Sequence, residues 1–396
     1  MNGFWMHKVA VGWLAWQLTS SALWLGIIAF ADLIPALIIG PIAGAFADRH
    51  SRLQINVVCQ YLAMFQALIL WFLTAFDFIT IHLLFTLTVL LAFVLAFNQP
   101  ARMSMVPSLV RPSDVTAAIA VNSLAFNLAR FIGPAIAGIV ITTMGIAPAF
   151  LINALTFVIF IIAMYQLRLP PQKFANRAAS GIFADILQGF RYAANHPAIG
   201  PLLLIMTASS ILAAPVLELL PGFADAVFGR GADGLAWLTS ASGIGASMGG
   251  LWLAKRGTLT GLTALMLIGG TLGLGFMVVL FTSTTTFWVA VVAMVFVGFA
   301  RLIGGVAGQT LIQSAVEEHL RARVMGIYGL IFRGGPALGA LIMGGLSESM
   351  GFRGPIAVGG ILCIFLWFIV RRRLKNLASL LEPTAGTSEQ GETVLR

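Results

Sequence analysis

Two carboxylates stand inside long apolar runs where charge is costly. Asp32 lies about ten residues into the run 22–46, just ahead of Pro35, and Glu218 lies between Pro215 and Pro221 in the run 199–221. An ionisable side chain inside hydrocarbon is, by default, a functional one. Desolvation favours the neutral acid and a neighbouring cation favours the carboxylate, so either residue could load and release a proton as its surroundings change. Asp32 is the first candidate for this role and Glu218 the second. A static ion pair, or a polar group lining a cavity, is the alternative for Asp32. Lys8 and Arg130 are the cations that could face Asp32.

Other polar side chains in apolar surroundings are candidates to line a substrate cavity. They are Lys8, Asn98, Arg102, Asn122, Asn127, Arg130, Gln309 and Arg333. Amides can hydrogen-bond a ligand in either sense, and the arginine fork can hold an anionic group bidentately. Arg130 and Arg333 each precede a Gly-Pro pair, Gly133-Pro134 and Gly335-Pro336, where a helix is expected to kink. For these two, tying the kink to neighbouring carbonyls or acids is an alternative of at least equal weight. No G-x-x-x-x-G-K-[ST] loop occurs, so ATP is not expected to act on this chain. The two cysteines, Cys59 and Cys363, are too few and too far apart for a disulfide framework or a C-x-x-C site. Neither metal, cofactor nor catalysis is expected.

The elements that must position these residues follow from composition. Hydrophobic residues make up 59% of the chain and charged ones 9%, which places it in lipid. Apolar stretches of roughly 20 residues, the length that crosses a hydrocarbon core, recur at 22–46, 53–76, 81–104, 115–142, 146–167, 199–221, 234–254, 259–282, 285–312, 323–346 and 352–371. Residues 3–19 form a shorter, twelfth span. The net charge of +9 resides in gaps between spans. Alternate gaps collect Arg49 and Arg52, Arg102 and Arg111, Arg168 to Arg191, Lys255 and Arg256, Arg321 and Arg323, and Arg371 to Lys375, against Arg230 and Arg353 on the other side. By the positive-inside rule the richer side is cytoplasmic, with both termini on it, and no nucleic-acid partner is implied. Residues 178–195 alternate apolar and polar faces at helical spacing, as an interfacial helix does. The organisation expected is an N-terminal bundle over 1–167, a cytoplasmic linker over 168–198, a C-terminal bundle over 199–372 and a disordered tail over 373–396.

The halves echo each other. Arg130-Phe-Ile-Gly133-Pro134 is repeated as Arg333-Gly-Gly335-Pro336, and Met144-Gly145 and Met350-Gly351 close the same two spans. The Gly40 to Gly44 end of the second span has a weaker counterpart in Gly245 to Gly250. Two six-span halves in the same orientation are the parallel repeat of rocker-type transporters.

These residues carry a resemblance. The turn Asp48-Arg49-x-x-Arg52 after Gly44, the segment Asn98-x-Pro100-x-Arg102, Arg130-x-x-Gly133-Pro134, and Leu320-Arg321-x-Arg323-Val-Met-Gly326 resemble the major facilitator superfamily, and within it the enterobactin-exporter-like branch. The resemblance implies an all-α membrane protein of 12 transmembrane helices in two pseudo-symmetric six-helix bundles, working by alternating access. It also implies that Gly44, Asp48, Arg49 and Arg52 form a gating latch with the segment at Arg323. In that branch the first span begins about twenty residues earlier, so the chain is expected to be N-terminally truncated and its first helix incomplete. The function expected is a proton-coupled exporter of a small amphipathic molecule, such as a siderophore, drug or metabolite, in the cytoplasmic membrane. Its partners would be that substrate, protons and lipids, with the fold complete in a monomer. A lipid flippase or importer of the same fold, or a non-transporting sensor or scaffold, are the alternatives.

Overall fold

In lipid every backbone polar group must be satisfied within the chain, so sequences this apolar fold as helices. A computed structural model describes residues 1–35, 50–105, 109–167 and 182–382, with Ile39, Ala43 and Phe46 between the first two stretches; the described residues contain no strand. In the first half they form α1 (Asn2–Thr19), α2 (Ala22–Ala31), α3 (Arg52–Ala75), α4 (Ile81–Met105), α5 (Val115–Met144) and α6 (Ala147–Tyr165). A connecting helix α7 (Ile182–Asn195) follows. The second half comprises α8 (Ile199–Leu212), α9 (Gly231–Arg256), α10 (Leu262–Leu267), α11 (Leu274–Ser283), α12 (Phe287–Ala315), α13 (Glu318–Met350), α14 (Arg353–Val370) and α15 (Leu374–Leu381).

Among the described residues, eight helical stretches are long and apolar enough to cross a membrane, and Ala22–Ala31 and Leu128–Met144 are shorter apolar pieces. With α1 and α9, which carry Lys8 and Asp233, they make up the twelve spans expected. α1 has 18 residues, about 27 Å at the usual helical rise. Local chemistry sets several ends. Ser21 accepts the Trp24 amide and Ser51 accepts the Gln54 amide, capping α2 and α3. Gly145 and Gly351, the paired residues that close spans in the two halves, both adopt positive φ.

Two spans are interrupted. α2 gives way to a turn at Asp32 and Leu33, because Pro35 has no N–H for the Ala31 carbonyl and its ring crowds it. The seventh span breaks after Leu212, passes through a 3-10 turn at Ala214–Leu217, and resumes with an α-helical turn at Leu220–Gly222 that runs on as a π-helix at Phe223–Val227. Glu218 sits in that break, flanked by the prolines that cause it. A second π-helical turn, Ile268–Gly273, joins α10 to α11.

Packing separates two compact units whose borders differ from the sequence halves. Unit 1 comprises Met1–Ser180, Leu217–Gly243 and Ala340–Phe352; unit 2 comprises Gly181–Val216, Ile244–Gly339 and Arg353–Arg396. The reason lies in small residues. Within unit 1, a methyl group added at Gly26 would strike the Ala340 backbone, one at Gly344 the Ala22 backbone, and one at Gly138 the Ala236 side chain. Such crossings bring helix backbones together where lipid supplies no hydrophobic drive.

The C-terminal boundary needs correction. Residues 373–382 are not a disordered tail: α15 buries Leu377 and Leu381, and the Glu382 carboxylate accepts the backbone N–H groups of Gly261 and Thr263 at 2.5 and 2.8 Å. These amides open α10, where the helix dipole favours an anion. The rest of the expected tail, 383–396, and residues 168–181 of the linker lie outside the described residues.

His196 makes the joint between α7 and α8. Its Nδ1 accepts the Ala198 and Ile199 amides, both at 3.2 Å, so the ring must be neutral at that nitrogen. Burial pushes its pKa down, opposed by the Glu317 carboxylate. A lowered histidine pKa contributes stability in full above the unfolded value of about 6.5 and loses it as pH falls, since the unfolded chain takes up the proton first. Thermal unfolding of the detergent-solubilised protein is therefore expected to shift down between pH 7.5 and 5.5. In His196→Asn, which can still cap, the shift should be smaller.

Candidate functional site

Three helices of unit 1 and the break in the seventh span surround one open cavity of about 600 Å³. α1 presents Phe4, His7, Lys8, Val11 and Gly12, spaced as one helical face. α2 adds Leu25, Ile28, Ala29 and Asp32, and α4 adds Thr88, Leu91 and Leu95; Glu218 enters from the break. Lys8 Nζ lies 3.6 Å from Glu218 Oε1, with the two side chains 42% and 23% exposed. The two intramembrane carboxylates and a lysine thus meet at one void, although Glu218 is about half a chain away in sequence. The pair is partly wet, so it contributes little to stability.

His7 also faces this cavity. It is 5% exposed, its ring meets Phe150 edge-on at 5.5 Å, and Nδ1 has no hydrogen-bond partner among the described residues. Beside it, the Arg130 guanidinium lies 5.5 Å from the centre of the Trp5 ring, a cation–π contact. At Gly133 a methyl group would come within 2.5 Å of Trp5 Cβ, and at Gly335 one would strike the Ser210 side chain. Each half therefore uses its Gly-Pro motif to bring a helix against its own first span. Both α5 and α13 continue through Pro134 and Pro336.

Beyond the Lys8 pair, unit 1 is closed by polar contacts. Trp16 Nε1 donates to Asp225 Oδ2 at 2.8 Å, tying α1 to the π-helix. Ser21 Oγ and the Leu23 amide donate to Glu348 Oε1 at 2.6 and 3.0 Å. A carboxylate there also faces the N-terminus of α2, the end that attracts anions.

Other expected site residues lie elsewhere. Asn98 is buried and donates to Asn56 Oδ1 at 2.9 Å, while Asn56 Nδ2 donates to the Arg52 carbonyl and to Met105 Sδ. This amide chain joins α3 to α4 and does not line the cavity. Asn98→Ala strands the Asn56 oxygen, and is expected to cost about 1–3 kcal/mol, seen as a lower unfolding temperature. Arg102, Asn122 and Gln309 are half-buried and Arg333 is exposed, none of them lining this cavity. The Asn127 side chain and the latch residues Gly44, Asp48 and Arg49 are outside the described residues. Of the latch, Arg52 is half-buried at the start of α3. Arg323 Nη1 donates to Gln188 Oε1 at 2.8 Å, which binds α13 to the connecting helix α7.

Motif reading also passes over Arg301, which lines a cavity in unit 2. The signal was present: it is the sole charged residue of the 29-residue α12.

Twelve spans among the described residues, in duplicated halves with charged groups gathered around an intramembrane cavity, have the architecture of a transporter of the major facilitator type. The chain belongs to the transmembrane secretion effector family of that superfamily, whose model matches residues 1–390. Among relatives, it is similar to the multidrug efflux pump Tap of Mycolicibacterium fortuitum, 28% identical over 94% of this chain and 93% of that one. The staphyloferrin A transporter of Staphylococcus aureus is 23% identical over 94% of each. The enterobactin exporter EntS of Shigella flexneri is 27% identical over 65% of this chain and 60% of that one. The same fold is seen in the peptide transporter POT with alafosfalin, with a TM-score of 0.74 at 15% identity over 96% of this chain and 94% of that one. A bacterial homologue of the lysosomal transporter Spinster, inward-facing and unoccupied, gives 0.68 at 14% identity over 97% and 96%.

Proposed function

We propose that this chain is a proton-coupled exporter of a small amphipathic molecule, working by alternating access in the cytoplasmic membrane. The observation that carries the reading is the meeting of Lys8, Glu218 and Asp32 around one cavity. A proton entering either carboxylate cancels a charge that Lys8 would otherwise balance, so the cation is drawn to the acid that remains ionised. That redistribution is an electrostatic change inside a low-dielectric site, where it is felt strongly. It biases the two arrangements of the helices that carry the charges, and a substrate that binds one arrangement better completes the coupling. The apolar walls formed by Leu25, Ile28, Leu91 and Leu95 suit the body of an amphipathic molecule, and the charged floor suits its polar group.

Export is supported by the relatives named as efflux pumps and exporters. Cytoplasmic termini are supported by basic residues at alternate helix ends, including Lys255 and Arg256 at the end of α9 and Arg371 to Arg373 after α14. In this reading Gly44, Asp48, Arg49, Arg52 and Arg323 latch one of the two states. The chemistry asked of the chain is binding and proton movement, with no bond made or broken in the substrate.

The test is a paired metabolite profile of cells and medium, with the gene deleted and then restored. A compound that accumulates in deleted cells and returns to the medium on restoration supports export and names the substrate class. Identical profiles overturn export and point to uptake or lipid translocation.

A further inference from the structure

The second cavity belongs to unit 2 and is not explained by proton coupling. It has a volume of about 390 Å³, and its charged lining residue is Arg301. Around that guanidinium stand three hydroxyls, Ser209, Ser210 and Thr271, and an apolar wall that includes Met206, Met266 and Phe332. Thr271 is 1% exposed, and the Ser209 hydroxyl donates to Thr271 Oγ1 at 3.4 Å. The guanidinium carbon lies 5.4 Å from the centre of the Phe332 ring. A guanidinium carries five N–H donors in a planar fork, a geometry that matches a carboxylate.

The backbone is shaped for this cavity. Gly270 and Thr271 belong to the π-helical turn Ile268–Gly273, a geometry that recurs at functional sites. A methyl group at Gly270 or Gly304 would strike the other residue's backbone, and one at Gly305 would meet the Phe332 ring at 2.6 Å. The close crossing holds the π turn against α12 beside Arg301. Tyr328, whose hydroxyl donates to the Gly305 carbonyl at 3.1 Å, stacks on Phe332 and fixes the ring.

We propose that this cavity binds the carboxylate of a small apolar organic acid. A cation retained within a span, hydroxyl donors beside it and an apolar wall complement a negative head on an aromatic or aliphatic body. The site is distinct from the Lys8, Glu218 and Asp32 cavity, and equilibrium binding there can be present or absent whatever the outcome of the export and coupling tests.

The experiment is equilibrium dialysis of radiolabelled 2-naphthoate and of its neutral counterpart 2-naphthamide against the full chain in detergent. The wild-type chain is expected to bind naphthoate saturably and more tightly than the amide. Arg301→Met should weaken naphthoate by about tenfold or more, the range for a lost charge-assisted pair, and leave the amide unchanged. Arg301→Lys should fall between, since lysine keeps the charge without the fork, and Ser210→Ala should weaken naphthoate a few-fold. Should Arg301→Met fail to fold, the last two variants carry the test. Equal binding of acid and amide by the wild type, no saturable naphthoate binding, or an unchanged acid-to-amide ratio in the folded variants overturns the proposal.

Discussion

Asp32→Asn is expected to reduce proton-driven efflux from proteoliposomes to the level of protein-free vesicles while substrate exchange at equal pH continues. Asparagine keeps the size and the hydrogen-bonding capacity of the side chain but cannot change charge. Asp32 lies at an interruption of α2, beside a cavity that already contains the pair of Lys8 and Glu218. With Asp32 fixed in the neutral state, Lys8 has one carboxylate where it had two, and moving a proton no longer redistributes the charge. Coupling is lost, whereas a rearrangement driven by substrate alone survives. Counterflow of labelled against unlabelled substrate and efflux under an imposed pH gradient separate the two. Gradient-driven efflux at the wild-type rate removes Asp32 from the mechanism, and equal loss of both activities makes it a substrate contact instead.

The second large effect concerns the closed end of unit 1. Gly344→Val and Gly26→Val each place side-chain carbon against backbone, at Ala22 and Ala340 respectively. Backbone cannot swing aside as the tip of a side chain can. Overpacking of this kind costs about 1–3 kcal/mol, and a bias of that size on a two-state equilibrium shifts the populations by about 5–150-fold. The proposed alternating-access cycle needs both states in turn, so turnover is expected to fall at least about fivefold, with the chain still folded. Spin labels at Leu18→Cys and Leu346→Cys, exposed positions flanking the crossing, should report a longer and broader distance in either variant. An unchanged distance together with undiminished transport would show that the crossing does not move in the cycle.

In the proposed cycle this end must open, and the contacts around the crossing suit that. Ser21, Leu23 and Glu348 meet through hydrogen bonds at an exposed position, where water can replace each partner at little net cost. The glycine and alanine surfaces between them interlock by shape, so small displacements lose contact over a wide area. A polar rim over a small-residue seam is therefore strong when seated and readily exchanged when parted.

Much of the architecture was legible without coordinates, because it depends on local properties. Span length follows from apolar run length, the break at Glu218 from Pro215 and Pro221, and the paired helix ends from Gly145 and Gly351. The duplication was readable in the Gly-Pro motifs. The role of those motifs was not: Gly133 and Gly335 are crossing points for the first helix of each half, which depends on which helix lies opposite. Asn98 was equally ambiguous, since an intramembrane amide can face a cavity or another helix, and only the pairing with Asn56 decides. Arg301 was passed over although it is the sole charge of its helix, and its hydroxyl neighbours are 30 and about 90 residues away in sequence.

What the sequence by itself determined is the class of molecule: a duplicated, twelve-span membrane protein with acids where acids are costly. Hydropathy and turn chemistry act over one or two helical turns, and a reader of the chain can sum them. Only the tertiary structure decided that Lys8, Asp32 and Glu218 share one cavity, that Arg301 has another, and that small residues of both sequence halves close unit 1. Those facts depend on the rotation of each helix about its axis and on its choice of neighbour, which are set by side-chain packing across the whole unit rather than by any local pattern.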